Sequence, residues 1–229
     1  MEKNKIYNMD ALEFLKGVES DSVDLIVTDP PYLMCSTGGG GICGKRRNYN
    51  YLYDESRKES FRDGFSVEIL DEFRRVQKVE NLYIFCNVKL LPMLFDYYKN
   101  DKFDLLVYHK KNPIPAFRNK YLSDLEYIFF VCNDRTKLGG DFSSLSKLFS
   151  INIPKKEFDH PTIKPLDIVT TLIQNSSKEG ELVLDCYMGS GTTAVAAKSV
   201  NRNFIGSEWN NKYCDIAEQR LMCVHGRLF

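Results

Sequence analysis

Short apolar runs bounded by turn residues alternate along this chain with longer stretches of helical period. That alternation is typical of an α/β domain, in which helices cover both faces of a mostly parallel sheet. The chain has 229 residues, and a domain commonly holds about 100–200 residues. We therefore predict a single α/β domain, a three-layer sandwich with a seven-stranded, mostly parallel, Rossmann-like sheet.

The same pattern gives the limits of each element. We predict strands at residues 5–8, 23–28, 82–86, 103–109, 127–132, 182–185 and 203–207, and helices at 11–16, 67–75, 90–100, 166–176, 192–200 and 213–224. Strands 103–109 and 127–132 are expected to form an antiparallel pair at the edge of the sheet. Residues 36–64 and 133–159 show neither period, and long irregular segments inside a domain are commonly functional.

Charge and cysteine content exclude several classes of protein. Lys plus Arg and Asp plus Glu both number 31, so a protein that works through net positive charge alone is excluded. The 7 cysteines form no C-x-x-C pair and the 3 histidines lack zinc-finger spacing, so we predict no metal site. No apolar run approaches about 18 residues and the N-terminus has no signal-peptide core. We expect a cytoplasmic protein that does not enter a membrane.

A glycine-rich turn, Gly189-Ser-Gly191-Thr-Thr, follows the predicted strand 182–185. Glycines permit positive φ and close approach of a ligand, and the next helix offers free N–H groups. Glu208 ends the following predicted strand, where a carboxylate can accept both hydroxyl hydrogens of a ribose. These residues predict a nucleoside-containing cofactor but leave its identity open, since Gly189-x-Gly191-x-x-Ala194 also fits the dinucleotide fingerprint.

The most specific signal in the chain is Asp29-Pro30-Pro31-Tyr32, directly after a buried strand. The two prolines fix φ and remove two N–H donors. Asp29 and the Pro30 carbonyl can then accept both hydrogens of an amino group on a planar ring while Tyr32 stacks on that ring. Two acceptors pulling on these hydrogens favour a nitrogen with an available lone pair.

These two segments, DPPY and DCYMGSGTT, resemble the amino-methyltransferases that act on DNA bases with S-adenosylmethionine. DPPY precedes the glycine-rich turn, as in the permuted β class of that family. His160-Pro-Thr-Ile-Lys164-Pro is similar to the family's HPTQKP segment, with Ile in place of Gln. The stretch from Tyr108 to Tyr127 is similar to its W-x-K-x-N-P…R…E-Y segment, with Tyr-His in place of Trp, and Met9-Asp-Ala-Leu to its G-D-x-L opening.

The resemblance implies a role for each matching residue. Asp29, Pro30, Pro31 and Tyr32 would hold and activate a base flipped out of the duplex, and the methyl group would pass directly, in line, from sulfonium to nitrogen without a metal. Asp before Pro-Pro-Tyr favours adenine N6 as the acceptor, because cytosine-N4 enzymes more often carry Ser there. The implied cofactor contacts are Asp185, Tyr187, Gly189, Ser190, Gly191, Thr192 and Thr193 at the methionine end, Lys164 on its carboxylate, Glu208 on the ribose, and Asp10 with Ala11 on the adenine.

Basic residues near these segments are candidate contacts to double-stranded DNA, the expected partner. They are Lys45, Arg46, Arg47, Lys110, Lys111, Arg118 and Lys120. The irregular segments 36–64 and 133–159 are candidates for reading the target sequence. A second copy of the chain and a cognate restriction nuclease are candidate protein partners.

Several alternatives stay open at this point. The same chemistry can act on cytosine N4 or on RNA. An NAD-dependent oxidoreductase would use the Gly189–Ala194 turn but leave Asp29–Tyr32 without a role. A DNA-binding subunit that has lost activity would keep the fold, although the intact DPPY segment argues against such decay.

Overall fold

The protein is described by a computed structural model that covers residues 1–31, 65–115, 121–155 and 163–224. Eight strands lie in these ranges: β1 (Lys5–Tyr7), β2 (Leu25–Thr28), β3 (Asn81–Cys86), β4 (Lys102–Lys110), β5 (Leu125–Cys132), β6 (Leu148–Ile151), β7 (Leu182–Asp185) and β8 (Asn203–Ser207). Six helices accompany them: α1 (Ala11–Gly17), α2 (Val67–Val76), α3 (Leu91–Tyr97), α4 (Leu166–Ser176), α5 (Thr192–Ser199) and α6 (Asn211–Val224).

The eight strands form one sheet in the order β1-β8-β7-β2-β3-β5-β4-β6. All neighbours pair in parallel except β5, which is antiparallel to both β3 and β4. The predicted α/β fold with a mostly parallel sheet is confirmed.

Two details of the predicted sheet are wrong. The sheet has eight strands rather than seven, because β6 lies inside segment 133–159, which was expected to be irregular. Strands β4 and β5 do pair antiparallel, but β6 pairs with β4 and takes the edge position. Strand β6 is only four residues long and is incompletely buried. Its apolar pattern is therefore too short to distinguish a strand from a loop.

Helices cover both faces of the sheet. Successive side chains of a strand point to opposite faces, and every residue of β2 is buried, so both faces must be covered. In β2, Ile26 packs with α1, α2 and α3 on one face, while Leu25 and Val27 pack with α4, α5 and α6 on the other. Tyr83 and Phe85 of β3 join this second face. The predicted three-layer sandwich is therefore present.

The parallel strands β1, β8, β7, β2 and β3 end at a common edge of the sheet, the carboxyl edge. Neighbours β7 and β2 mark the point where the chain order reverses, since β8 lies beyond β7 and β3 lies beyond β2. Ligands of open α/β sheets bind in the crevice at such a point. None of the helices in the described ranges has the length and apolar character needed to span a membrane.

Candidate active site

The sequence-predicted segments meet at this carboxyl edge. Asp29 to Pro31 follow β2, and the glycine-rich turn follows β7 on the neighbouring strand. Glu208 follows β8, and Asp10 stands just beyond β1 at the start of α1. Segments separated by more than half of the chain are thus brought to one crevice.

Asp185 accepts three hydrogen bonds within the crevice. Its Oδ1 accepts from the hydroxyl of Thr28 at 2.8 Å and from the backbone N–H of Tyr187 at 3.0 Å, and its Oδ2 accepts from the hydroxyl of Thr193 at 2.7 Å. The side chain is buried, and burial raises its pKa to about 6 against the opposing effect of these hydrogen bonds. Asp185 therefore joins the end of β2 to the turn after β7 and carries its charge at a steep desolvation cost.

Glu208 supports the other side of the glycine-rich turn. Its Oε2 accepts from the backbone N–H of Gly189 at 2.9 Å, and its Oε1 accepts from the N–H of Asn210 at 2.8 Å. Burial raises the pKa of Glu208 to about 6. Two buried carboxylates thus face the crevice with ionisation equilibria close to neutral pH.

The turn itself depends on glycine and on the C-terminal helix. Gly191 has φ +83°, and a Cβ placed on it would lie 2.6 Å from the Cβ of Ala217 in α6. Arg220 of the same helix donates from Nη1 to the carbonyl and hydroxyl oxygens of Ser190 at 2.6 and 3.2 Å and to the hydroxyl of Thr192 at 3.2 Å. Helix α6 therefore packs against the glycine-rich turn and stabilises its backbone.

Asp29 takes part in a chain of ion pairs. Its Oδ2 lies 2.7 Å from Nζ of Lys164, which also lies 3.6 Å from Oε2 of Glu126. Oε1 of Glu126 lies 2.9 Å from Nζ of Lys110. Burial alone would lower the pKa of Lys164, but Asp29 and Glu126 together raise it above its ordinary value. Burial alone would raise the pKa of Glu126, but Lys164 and Lys110 hold it below its ordinary range.

Asp10 and Ala11 open helix α1. Oδ1 of Asp10 accepts from the N–H groups of Leu12 and Glu13 at 2.9 and 3.3 Å, so Asp10 is the N-cap residue. Ala11 is buried in the core. Tyr187 is partly buried, and its ring centroid lies 6.1 Å from that of Phe65.

Only part of the predicted DNA-contacting set can be placed. Lys110 is engaged by Glu126, whereas Lys111 is exposed directly after β4 at the carboxyl edge. Within segment 133–159, residues 133–146 lie toward the opposite edge, where Thr136 bonds the backbone of Glu80 before β3. Several predicted site residues lie outside the described ranges, namely Tyr32, Lys45, Arg46, Arg47, Arg118 and Lys120, as do the whole of segment 36–64 and residues 156–159.

Three residues of the crevice were not predicted as site residues. Thr28 is the one polar residue of β2, and that polarity directly before Asp29 was a usable signal. Glu126 stood in a segment that resembles the family but had no role given to it. Arg220 lies three residues after Ala217 on one face of α6, and nothing in the sequence relates that face to Ser190.

Comparison with known proteins gives consistent matches over nearly the whole chain. Residues 23–219 match the family N6_N4_Mtase, described as DNA methylase. The chain is 29% identical over 250 residues to the type II methyltransferase M1.MboII of Moraxella bovis, covering 95% of this chain and 96% of that protein. It is 27% identical to the type II methyltransferase M.HinfI of Haemophilus influenzae, covering 95% of this chain and 68% of that protein.

Solved structures with the same fold include a complex with SAM and a cytosine-N4-specific DNA methyltransferase. The crystal structure of the M1.HpyAVI–SAM complex superposes with a TM-score of 0.69 at 24% identity, covering 95% of this chain and 98% of that one. The cytosine-N4-specific PvuII DNA methyltransferase superposes with a TM-score of 0.72 at 14% identity, covering 99% and 93%. At these identities the likeness concerns the fold.

Proposed function

The chain belongs to the DNA methylase family N6_N4_Mtase, and from that premise we propose that it is a site-specific DNA methyltransferase that modifies the N6 amino group of adenine with S-adenosylmethionine as methyl donor. The observation that carries the proposal is the meeting of Asp29-Pro-Pro with the glycine-rich turn at the switch point between β2 and β7.

The residues around the turn fit such a cofactor. Gly189 and Gly191 have φ of +53° and +83°, so the backbone there is open to close approach. Asp185 and Glu208 offer carboxylates for an ammonium group and for ribose hydroxyls. When bound, the cofactor supplies a methyl group on a positively charged sulfur that needs no metal for activation.

The residues after β2 suit an amino group as acceptor. Asp29 accepts one hydrogen of the target amino group and the Pro30 carbonyl accepts the other, since neither proline has an N–H to compete. Stacking on the flipped base is the role that the family resemblance implies for Tyr32. The aspartate in DPPY favours adenine over cytosine. Orientation of the two substrates supplies much of the rate enhancement.

DNA approaches the carboxyl edge, where Asp29 lies and where Lys111 is exposed. Because the net charge is zero, we expect modest and salt-sensitive affinity for DNA. We also propose that the protein is cytoplasmic, forms a homodimer and acts together with a cognate restriction nuclease. The type II names of the relatives support the proposed nuclease partner.

The deciding experiment identifies the product. The protein is incubated with duplex DNA and S-adenosylmethionine, the DNA is digested to nucleosides, and methylated bases are measured by mass spectrometry for the wild type and Asp29→Ala. Asp96→Ala is a matched control, because Asp96 is an exposed carboxylate on α3. N6-methyladenine from the wild type and the control but not from Asp29→Ala supports the proposal. N4-methylcytosine corrects the base, and no methylated base despite cofactor binding overturns it.

A further inference from the structure

We propose that Lys164 is a positioning residue for Asp29, and that Glu126 and Lys110 hold Lys164 in that place. This inference rests on the proposed function, because it assigns Asp29 to the target amino group. It differs from the role implied by the family resemblance, in which Lys164 pairs with the carboxylate of the cofactor.

Contacts among these side chains carry the inference. Four charged groups from four elements follow one another in space, in the order Asp29 after β2, Lys164 before α4, Glu126 on β5 and Lys110 at the end of β4. The successive N–O distances are 2.7, 3.6 and 2.9 Å. The network holds two carboxylates and two ammonium groups, so its charges balance. Lys164 lies between Asp29 and Glu126, and Lys110 lies beside Glu126.

Burial gives these contacts their weight. The Lys164 side chain is only 8% exposed, and its Nζ lies 5.4 Å from the ring centroid of Phe85. An ammonium group in such a place moves little and exerts a strong field on its neighbours. Burying an ion-pair network commonly gives no gain in stability over apolar packing, so its presence beside Asp29 points to a role in orienting that carboxylate.

The position of the network in the fold supports the same conclusion. Asp29 begins a proline-locked turn, whereas Lys164 is joined through Pro165, the N-cap residue, to helix α4. Glu126 lies opposite Tyr108 in the β4–β5 register. Through Lys164, the turn that begins at Asp29 is therefore linked to helix α4 and to strands β5 and β4. These contacts hold the Asp29 carboxylate in one position relative to the sheet.

The test separates this role from cofactor binding. Lys164→Met is compared with the wild type for the dissociation constant of S-adenosylmethionine and for kcat with both substrates saturating. We expect kcat to fall about 100-fold, the size of effect that a misplacement of about 1 Å produces, while the dissociation constant stays within about threefold. A tenfold or larger rise in the dissociation constant with kcat preserved overturns the inference and supports the cofactor-carboxylate role.

A pH profile adds a readout that a merely structural lysine would not move. The described ionisable groups near Asp29 are Lys164, Glu126 on β5, Cys86 at the end of β3 and Asp185 at the end of β7. With Lys164 replaced, two carboxylates face each other without the intervening cation. We expect the acid limb of kcat to move to higher pH in Lys164→Met; an unmoved limb contradicts the inference.

Two milder variants keep the test decisive if Lys164→Met does not fold. Lys164→Arg keeps the charge and should retain activity, and Glu126→Gln should lower kcat about five- to tenfold with unchanged cofactor affinity. Lys78→Met is the matched control, because Lys78 pairs with Asp24 at 2.7 Å at the other end of β2. A wild-type kcat in Glu126→Gln overturns the inference. Absence of methylation by the wild type would instead overturn the proposed function.

Discussion

Thr28 donates a 2.8 Å hydrogen bond from its hydroxyl to Oδ1 of Asp185, and both side chains are buried. The bond joins the last residue of β2, directly before Asp29, to the last residue of β7, four residues before Gly189 of the glycine-rich turn. The two halves of the crevice are therefore in contact through side chains as well as through the sheet.

Replacing Thr28 by valine keeps the shape of the side chain and removes the donor. Removing a hydrogen-bond partner from a buried polar group destabilises the folded protein by about 1–3 kcal/mol. We therefore expect the free energy of unfolding to fall by that amount. The affinity for S-adenosylmethionine should fall about tenfold, because Asp185 loses one of its orienting bonds. Calorimetry measures both quantities. Thr28→Ser keeps the hydroxyl and should retain affinity; equal affinity in Thr28→Val and the wild type would contradict the proposed link.

Cofactor affinity should depend on pH near 6. Burial raises the pKa of Asp185 and of Glu208 to about 6 in the protein, so both carboxyls gain protons as the pH falls from 7.5 to 5. A cofactor that carries positive charge and ribose hydroxyls favours the ionised forms. These protons must then be released on binding, which weakens affinity at low pH by up to tenfold per pH unit for each group.

Titration calorimetry at pH 7.5, 6.5 and 5.5 measures this dependence, with circular dichroism to verify that the protein stays folded. Glu208→Gln should flatten the dependence. Glu80→Gln is the control, because burial also raises the pKa of Glu80 but that residue lies before β3, away from the crevice. An affinity independent of pH in the wild type would show that these carboxylates do not act on the cofactor.

Gly191→Ala should disrupt the turn for two separable reasons. A non-glycine residue at φ +83° costs about 1–2 kcal/mol, and the new Cβ would collide with the Cβ of Ala217, 2.6 Å away. Gly180→Ala isolates the first cost, because Gly180 has φ +79° and an added Cβ there would meet nothing within 4 Å. We expect Gly191→Ala to have a lower unfolding temperature than Gly180→Ala and to lose cofactor binding. Ala217→Gly should cost less stability in Gly191→Ala than in the wild type, because it also relieves the collision, and an equal cost in both would exclude the collision.

The fold was predictable because its core strands carry strong local signals. Strands β2, β3 and β7 are fully buried runs of four to six residues, and the apolar pattern located all three. Strand β6 was missed because its place at the edge leaves its short pattern incompletely buried. Its pairing with β4 depends on the sheet, which local periodicity does not describe.

From the sequence, the candidate site could be predicted only where its residues are consecutive. Asp29-Pro-Pro and the glycine-rich turn are recognisable as motifs, and parallel strands bring their ends together. The contact of Lys164 with Asp29 depends on where the start of α4 lies above the sheet. The contact of Arg220 with Ser190 depends on how α6 packs behind the turn. Neither distance follows from spacing along the chain.

The two ends of strand β4 provide a test of which edge faces DNA. Lys111 follows the strand at the carboxyl edge, and Lys102 begins it at the opposite edge, about 30 Å away for nine residues of extended chain. Both lysines are exposed. If duplex DNA approaches the carboxyl edge, Lys111→Ala should weaken binding and reduce the slope of log affinity against log salt by about 1. Lys102→Ala should change neither quantity, and neither variant should alter the affinity for S-adenosylmethionine.

Fluorescence anisotropy with a labelled duplex from about 50 to 200 mM salt measures the slope, because phosphate contacts change the affinity strongly over that range. A reduced slope in Lys102→Ala with an unchanged one in Lys111→Ala would place the DNA on the other edge and separate it from Asp29.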